Sequence, residues 1–336
     1  MNPLLTIGIT SYKRLSELNR CIDSIDTKYY DDIEVIVSED CSPLSKEIGE
    51  LIQSKKDKLK FDLKFMPNEY NLGYDGNLGA IISKSRGKYV FLISDDDAMF
   101  EGFLDILIPF LHSNNKELGV FYAPFVHTSS RRKDRNYGHD MIIEPSEGNA
   151  AKHIYDSILF SGLIFRKEFV EVFDASKFLN INYFQVYLFL KMIYHKGGYY
   201  FSYPSVWCVG DGENAYGISE SSGGNELLAH RESVISNLEF NKTLFKVIHW
   251  FDEEENTNIF SSFEKQYSWH SYSGLSIARR NGLSYFKAYW KKLLSLEIRI
   301  YPIAKLYYTL LYLCGSDMSD RITTFARRLM KNDGKA

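Results

Sequence analysis

The sequence predicts an α/β fold: a mostly parallel sheet flanked by helices on both faces, followed by a helical C-terminal region. Three observations lead there. Over the first 125 residues, apolar strand-like runs alternate with segments whose apolar residues recur every three or four positions. The strand-like runs are almost continuously apolar, as expected where helices cover both faces of a parallel sheet. From about Ser219 the composition changes to long helical runs. A chain of 336 residues with 45% apolar content holds one large or two ordinary domains around a packed core.

Taken in order, LTIGIT (5–10) is the first strand, and Leu15, Leu18, Ile22 and Ile25 follow at helical spacing. IEVIVS (33–38) is the second strand; a turn at Pro43 leads to a helix carrying Ile48, Leu51 and Ile52. A third strand is predicted at 63–66, a helix over 75–85, a central strand at KYVFLI (88–93) and a later one at LGVFYA (118–123). Ligands of such sheets bind beyond the carboxyl ends of the strands, which aligns residues 10–14, 38–42 and 95–97 along one rim. The boundaries follow: a catalytic domain over 1–217, with halves of about 1–125 and 126–217, and a helical region over 218–336.

The central strand ends in three adjacent carboxylates, Asp95, Asp96 and Asp97. Like charges this close raise one another's pKa unless a cation or strong donor offsets them. A hard divalent ion, Mg²⁺ or Mn²⁺, is one partner that suits oxygen ligands and a substrate phosphate. The alternative is a solvated loop with an acid capping the helix that starts after Gly102.

Composition narrows the class. The four cysteines, Cys21, Cys41, Cys208 and Cys314, lie far apart without CxxC pairing, which suggests neither a disulfide framework nor a zinc site and fits a reducing cytoplasm. The start, MNPLLTIGITSYKR, enters a strand without a basic leader and apolar core, so no signal peptide is expected. The net charge of −3 is uneven: from Arg279 onward twelve Lys or Arg face four Asp or Glu, a balance of +8, leaving −11 for the rest. The acidic run at 252–255 reads as a solvated helix start.

The strand ends carry a family pattern. TSYKR (10–14) is similar to a T-x-Y-N-R turn after a first strand, SEDCS (38–42) to a D-D-G-S turn after a second, NEYNLGYDGNLG (68–79) to an N-x-G segment before a central strand, and SDDDAMFEGFL (94–104) to a D-x-D motif followed by a helix. In this order and spacing they resemble family 2 glycosyltransferases of the nucleotide-diphosphosugar transferase fold, called GT-A. The resemblance covers about residues 4–125 and extends weakly to about 217.

What it implies is a sugar transferase that takes a nucleotide-diphosphate sugar, uses Mn²⁺ or Mg²⁺ and inverts the anomeric centre. Asp40 would accept a hydrogen bond from the nucleobase, or else cap an Asx-turn; Glu39 beside it reads as exposed. Thr10 would border the donor, Tyr12 would pack against the base or be an ordinary buried strand-end tyrosine, and Arg14 would meet a phosphate or cap the turn. Asp75 to Asn77 would border the nucleotide, and Asn71 and Gly73 would line it or only shape a turn. The family's D-x-D-D falls on Ser94, Asp95, Asp96 and Asp97, so serine replaces the first acid. Asp96 is then the expected metal ligand, with Asp95 or Asp97 supplying a second oxygen directly or through water. This strand end is similar to that of an abequosyltransferase-like subgroup of O-antigen and capsule enzymes.

The second half, about 124–217, is expected to hold a glycan or lipid-linked acceptor. Where the family has an acidic pair at a helix start, this chain has Phe184 and Gln185, and an amide cannot serve as a base. Asp211 or Glu213 in VGDGENAYG are the candidate bases, with Asn214 a donor to sugar or phosphate, or all three belong to a plain surface turn; Asp174 is a further candidate base or a helix cap. The histidines at 127, 139, 153 and 195 lack ligand spacing and read as ordinary surface or core residues. The polar stretch 129–140 reads as a mobile loop able to fold over a nucleotide. In the last region, YFKAYWKKLLSLEIRIYPIAKLYYTLLYLCG mixes aromatic, leucine and basic residues as interfacial helices do. It predicts either contact with a membrane surface, placing the protein peripherally at the inner face of the cell membrane, or packing on the catalytic domain or a second subunit. Nucleic acid is not expected without a recognition motif. Two rival classes are a nucleotidyltransferase, for which TSYKRL lacks the basic glycine loop, and an inactive sugar-nucleotide binding module.

Overall fold

The computed structural model describes residues 2–211 and 226–333. The chain divides into two compact units: Met1–Glu213 with Glu253–Thr257, and Asn214–Asp252 with Asn258–Ala336.

The first unit opens with β1 (Leu5–Ser11), α1 (Leu15–Asp23), β2 (Ile33–Glu39), α2 (Ser45–Lys56), β3 (Asp62–Pro67), α3 (Gly73–Lys84) and β4 (Tyr89–Ser94). These match the alternation expected from the sequence within a residue or two. It continues through β5 (Ala98–Met99), α4 (Phe103–Ser113), β6 (Val120–Tyr122), β7 (Phe125–His127), β8 (Lys133–Asp134), β9 (Met141–Ile143) and α5 (Glu147–His153). It closes with β10 (Leu163–Arg166), α6 (Lys167–Val170), α7 (Phe184–His195), β11 (Gly198–Tyr200) and β12 (Val206–Cys208).

Eight strands form one sheet in the order β3-β2-β1-β4-β10-β6-β11-β9. The first four are parallel, while β10 runs antiparallel to both β4 and β6. The chain thus reverses strand order beside β4, a switch point that opens a crevice at the strand ends. Leu5, Ile7, Ile9, Val35, Val37, Phe91 and Ile93 are fully buried between the sheet and its helices. Gly8 lets α3 approach β1: a Cβ there would lie 2.2 Å from the Ile81 side chain. A second sheet, β5-β12-β7-β8, sits after β4 and was not expected from the sequence. Its strands are two or three residues long, too short to show periodicity.

The polar stretch 129–140 is tied down rather than loose. Its strand β8 pairs with β7, and Arg135, 9% exposed, donates to the carbonyls of Ser161 and Leu159. Of the histidines read as surface or core residues, His153 is a core one: it is buried, with Nδ1 2.9 Å from both Asp156 and the Tyr122 hydroxyl.

The second unit consists of long helices, α8 (Glu226–Glu255), α9 (Ile259–Arg280), α10 (Leu283–Leu294) and α11 (Pro302–Asp333), with the last residues of α8 grouped in the first unit. The acidic run ends α8 instead of starting a helix. Asp252 accepts the backbone N–H groups of Ile259 and Phe260 at 2.8 and 2.9 Å, satisfying donors that α9 leaves open at its start.

Candidate active site at the strand ends

β1, β2 and β4 end level with one another, because Thr10 pairs with Ser38 on one side and Ser94 on the other. The turns leaving them converge. Two carry non-glycine residues in the left-handed region, Lys13 at φ 62° and Cys41 at φ 54°. Each such residue costs about 1–3 kcal/mol and persists where its surroundings over-determine it.

The three adjacent acids have different environments. Asp95 is buried: Oδ1 accepts from Arg14 Nη1 at 2.9 Å and Oδ2 from the Tyr12 backbone N–H at 3.1 Å. Burial pushes its carboxyl up to about 6 against the pull of Arg14. Asp97 is buried as well, bonded to the Ser161 side chain and to the Val209 N–H at 3.2 Å, and burial pushes it up to about 7. Asp96 keeps part of its carboxylate at the surface, with a side chain 17% exposed. Its Oδ2 lies 3.1 Å from Arg14 Nη1, and its Oδ1 accepts from the Ser94 hydroxyl. The serine that replaces the first acid therefore orients the next carboxylate but one.

Above them stands Arg20, on α1, which the sequence reading did not single out. It donates to the Asp96 carbonyl at 3.0 Å and grips both oxygens of Asp211 at 2.7 and 2.8 Å. That bond holds the half-exposed Asp211 below the usual carboxylate range. Glu213 and Asn214 lie outside the described residues.

At the end of β2, Asp40 is buried, and its Oδ1 accepts from Asn68 Nδ2 at 3.0 Å and the Leu72 N–H at 2.8 Å. Burial raises its pKa against these bonds. Asn77 sits behind it, accepting from Asn68 at 3.2 Å and donating to the Ser38 carbonyl at 3.1 Å. Asn71 accepts the Gly73 N–H at 2.9 Å, and Gly73 at φ 70° makes the turn into α3. Glu39, read as exposed, is fully buried, and its Oε1 accepts the Ser42 N–H at 2.9 Å, shaping the turn that carries Asp40. Its sequence neighbour drew attention; strand alternation would have put Glu39 on the inner face. Beside Leu72 opens a groove of about 670 Å³ between α3 and residues 171–180, walled by Tyr70, Phe173 and Leu179 with Asn71, Asn180 and Ser83.

The remaining expectations fall as follows. Thr10, Tyr12 and Arg14 lie on the rim with Asp95 and Asp96. Gln185 is buried and donates to the Ile158 carbonyl at 3.2 Å. Asp174 caps the short helix at Ala175–Phe178 through Ser176. Ser161, which supports both Asp97 and the Ser94 N–H, gave no sequence signal: it is a lone serine brought to β4 by the antiparallel return of β10.

Among the described residues, no group of three or more His, Cys, Asp or Glu side chains converges as a metal site. A hard cation shared with a diphosphate needs only one or two carboxylates from the protein, and Asp96 offers one such oxygen set. The donor chemistry at the rim therefore fits a shared Mg²⁺ or Mn²⁺ through Asp96 and does not make a cage of its own.

A parallel sheet with its switch point at β4, an acid at the end of β2 and acids at the end of β4 define the GT-A class of sugar transferases. The chain belongs to glycosyl transferase family 2, whose model matches residues 6–181, and is a glycosyltransferase. It is 28% identical over 231 residues to an abequosyltransferase of Salmonella typhimurium, a match covering 63% of this chain and 68% of that protein. It is 29% identical over 107 residues to a GalNAc(5)-diNAcBac-PP-undecaprenol beta-1,3-glucosyltransferase of Campylobacter jejuni, covering 32% of this chain and 34% of that enzyme. Among solved structures, S. aureus TarS 1–349 in complex with UDP-GlcNAc aligns with a TM-score of 0.53 at 14% identity, over 91% of this chain and 90% of that one. Mannosyltransferase PcManGT from Pyrobaculum calidifontis, in complex with GDP-Man and Mn²⁺, aligns with a TM-score of 0.50 at 13% identity, over 95% and 87%. At these identities the structures bear on the fold alone.

Proposed function

We propose that this glycosyltransferase moves a sugar from a nucleotide-diphosphate sugar to a glycan or lipid-linked acceptor in the synthesis of a cell-surface polysaccharide of O-antigen or capsule type. It works in the cytoplasm at the inner face of the membrane, with inversion and with a divalent metal. The observation that carries this reading is the pairing on one rim of a nearly buried acceptor, Asp40, with a partly exposed carboxylate, Asp96, held beside Arg14. The first suits a nucleobase N–H and the second the diphosphate end of the same ligand. The likeness to an abequosyltransferase supports the pathway, and the partly exposed Asp96 carboxylate at the rim supports the metal.

In a single displacement, the acceptor hydroxyl attacks the anomeric carbon from the face opposite the departing diphosphate. Asp96 would hold the divalent ion, which when bound offsets the charge growing on that leaving group. Arg14 fixes Asp95 and Asp96 relative to Tyr12. Asp40, braced by Asn68, Asn77 and the Leu72 N–H, receives the base, while Thr10, Asn71 and Gly73 shape the walls. The acceptor proton passes to Asp211, with Glu213, two residues on in the sequence, as the alternative base; Asp211 becomes basic enough when the acceptor parts it from Arg20. The groove beside Leu72, with ring walls and amides, suits a sugar chain.

The test is a thermal-shift screen with UDP, GDP, CDP and dTDP, each with and without Mn²⁺. A ligand that binds only the folded state raises the melting temperature; one nucleotide should do so, and more strongly with Mn²⁺. No shift with any of the four overturns the assignment of the rim as the nucleotide site, and a shift that is the same with and without Mn²⁺ overturns the metal.

A further inference from the structure

The second unit exposes an apolar face within the stretch whose composition suggested interfacial helices. In the first part of α11, Leu306 and Leu313 are 60% and 74% exposed and lie seven residues, two turns, apart on one stripe. Their helix buries Ala304, Tyr307 and Leu311 on the side that packs against α9. Gly315, at φ 72°, breaks the helix, and beyond it Met318, Ile322 and Phe325 recur at i, i+4 and i+7, again exposed. A packed core would not leave a helix apolar on both sides.

The neighbouring helix supplies charge. On α10, Leu283, Lys287, Lys291 and Leu294 form one exposed stripe at helical spacing. The two helices meet through a ring stack in which Tyr308 lies between Phe286 and Trp290, with centroids 4.8 and 4.5 Å away. Lys287 Nζ sits 5.6 Å above the Tyr312 ring, joining the basic stripe to the apolar one. Lysines with long apolar stems, half-exposed aromatic rings and a leucine edge form the composition of a helix lying at a lipid–water boundary. No described helix is long and apolar enough to cross a membrane.

We propose that the α10–α11 face docks on an anionic lipid surface. Charge decides between this occupant and a second copy of the chain. Residues from Arg279 to the end carry a balance of +8, so two such faces brought together would repel, whereas a negatively charged leaflet attracts each Lys or Arg near it. This inference rests on the membrane location in the proposed function but not on its chemistry, and nucleotide binding is read separately so that the two can fail independently.

The experiment is sedimentation of the full chain with vesicles of phosphatidylcholine, with and without phosphatidylglycerol. The wild type should pellet with the anionic vesicles only and be released by salt. Lys287→Glu/Lys291→Glu should lower the partition coefficient about tenfold or more, and Leu306→Asp/Leu313→Asp should lower it comparably. Because all four side chains are exposed, the melting temperature and any nucleotide-induced shift should stay at wild-type values. A wild type that does not pellet, or variants that pellet as well as it does, would overturn the proposal. So would a wild type that is dimeric by light scattering and becomes monomeric in Leu306→Asp/Leu313→Asp with vesicle binding unchanged, which would assign the face to self-association.

Discussion

Two regions of the catalytic unit carry buried acids, and they use them in opposite ways. At the junction of α3 and α7, Asp75 is 1% exposed and accepts the backbone N–H groups of Ile181, Asn182 and Phe184 at 3.2, 2.6 and 2.9 Å. Oδ1 takes the first N–H of α7, which would otherwise lack a partner, and Oδ2 takes the two N–H groups of the turn that leads into it. At the rim of β1, β2 and β4, Asp95 and Asp97 are similarly enclosed, but Asp96 between them keeps part of its carboxylate in solvent. The same residue type pins the backbone in one region and, in the proposed function, offers oxygen to a ligand in the other. The partner list distinguishes them: an acid saturated by backbone donors is structural, and one backed by a cation with an oxygen at the surface is poised for chemistry.

The largest effect should come from the acid on the chemical side of that contrast. Asp96→Ala is expected to lower transfer roughly a thousandfold or more, in line with removal of a group that stabilises transition-state charge, and to abolish the Mn²⁺ dependence of nucleotide binding. Its melting temperature should match the wild type or exceed it, since a charge packed against two other carboxylates is lost. Steady-state rates and thermal shifts measured on one preparation give both readouts. Near-normal turnover would erase the difference between the regions and leave the carboxylate cluster a solvated turn.

Asp211 sharpens the contrast from outside the strands. Asp211→Asn should slow the chemical step roughly a few hundredfold, the scale of general-base loss, with donor affinity little changed, as for an interaction made only in the transition state. Single-turnover transfer with parallel donor titration separates these, and Glu213→Gln is the matched control. If Asp211→Asn is active and Glu213→Gln is not, the neighbouring acid is the base. If both are active, Asp211 is only the latch for Arg20.

Most of the parallel half was legible in the sequence because its strands are apolar runs ending in polar turns. The positions of Asp40 and Asp95 to Asp97 on one rim followed from strand order alone. What was not legible depends on contacts between distant segments. Arg20 reaches Asp96 and Asp211 from a helix whose pattern is set by the core-facing Leu18, Cys21 and Ile22, so nothing in the spacing marks its exposed side. Ser161 reaches β4 only because β10 inserts antiparallel, and a four-residue strand carries no direction in its sequence. Glu39 was misread as exposed because its more suggestive neighbour Asp40 leaves the strand, while Glu39 is still within it. Asn77 shared a motif with Asn71, yet one lies buried behind Asp40 and the other makes a turn, a separation that motif spacing does not express.

The smallest effect is a pH dependence that belongs to the structural acid. Burial pushes the Asp75 carboxyl up to about 6, against the N–H bonds from Phe184, Asn182 and Ile181, from an unfolded value near 3.8. The folded protein therefore holds this proton more tightly than the unfolded chain. Stability from this group is greatest below about pH 4 and falls as pH rises toward 6, by on the order of 2–3 kcal/mol for a shift of about two units. Glu34 acts in the other direction: burial would raise it, but Lys64, Thr6 and Arg86 hold it at about 2, so its contribution is present above about 4.5 and lost as pH falls toward 2. Asp95 and Asp97 share the sign of Asp75, so the wild-type profile alone does not isolate it. Asp75→Asn, which keeps the shape of the neutral acid, should have a flatter stability profile than the wild type between pH 4 and 6, so that the difference between the two changes across that range, while the acid limb from Glu34 stays intact. Urea midpoints of both proteins at half-unit steps measure this. A difference that stays constant across that range would mean that Asp75 is ionised in the folded state at pH 4, with its three N–H donors outweighing the cost of burial.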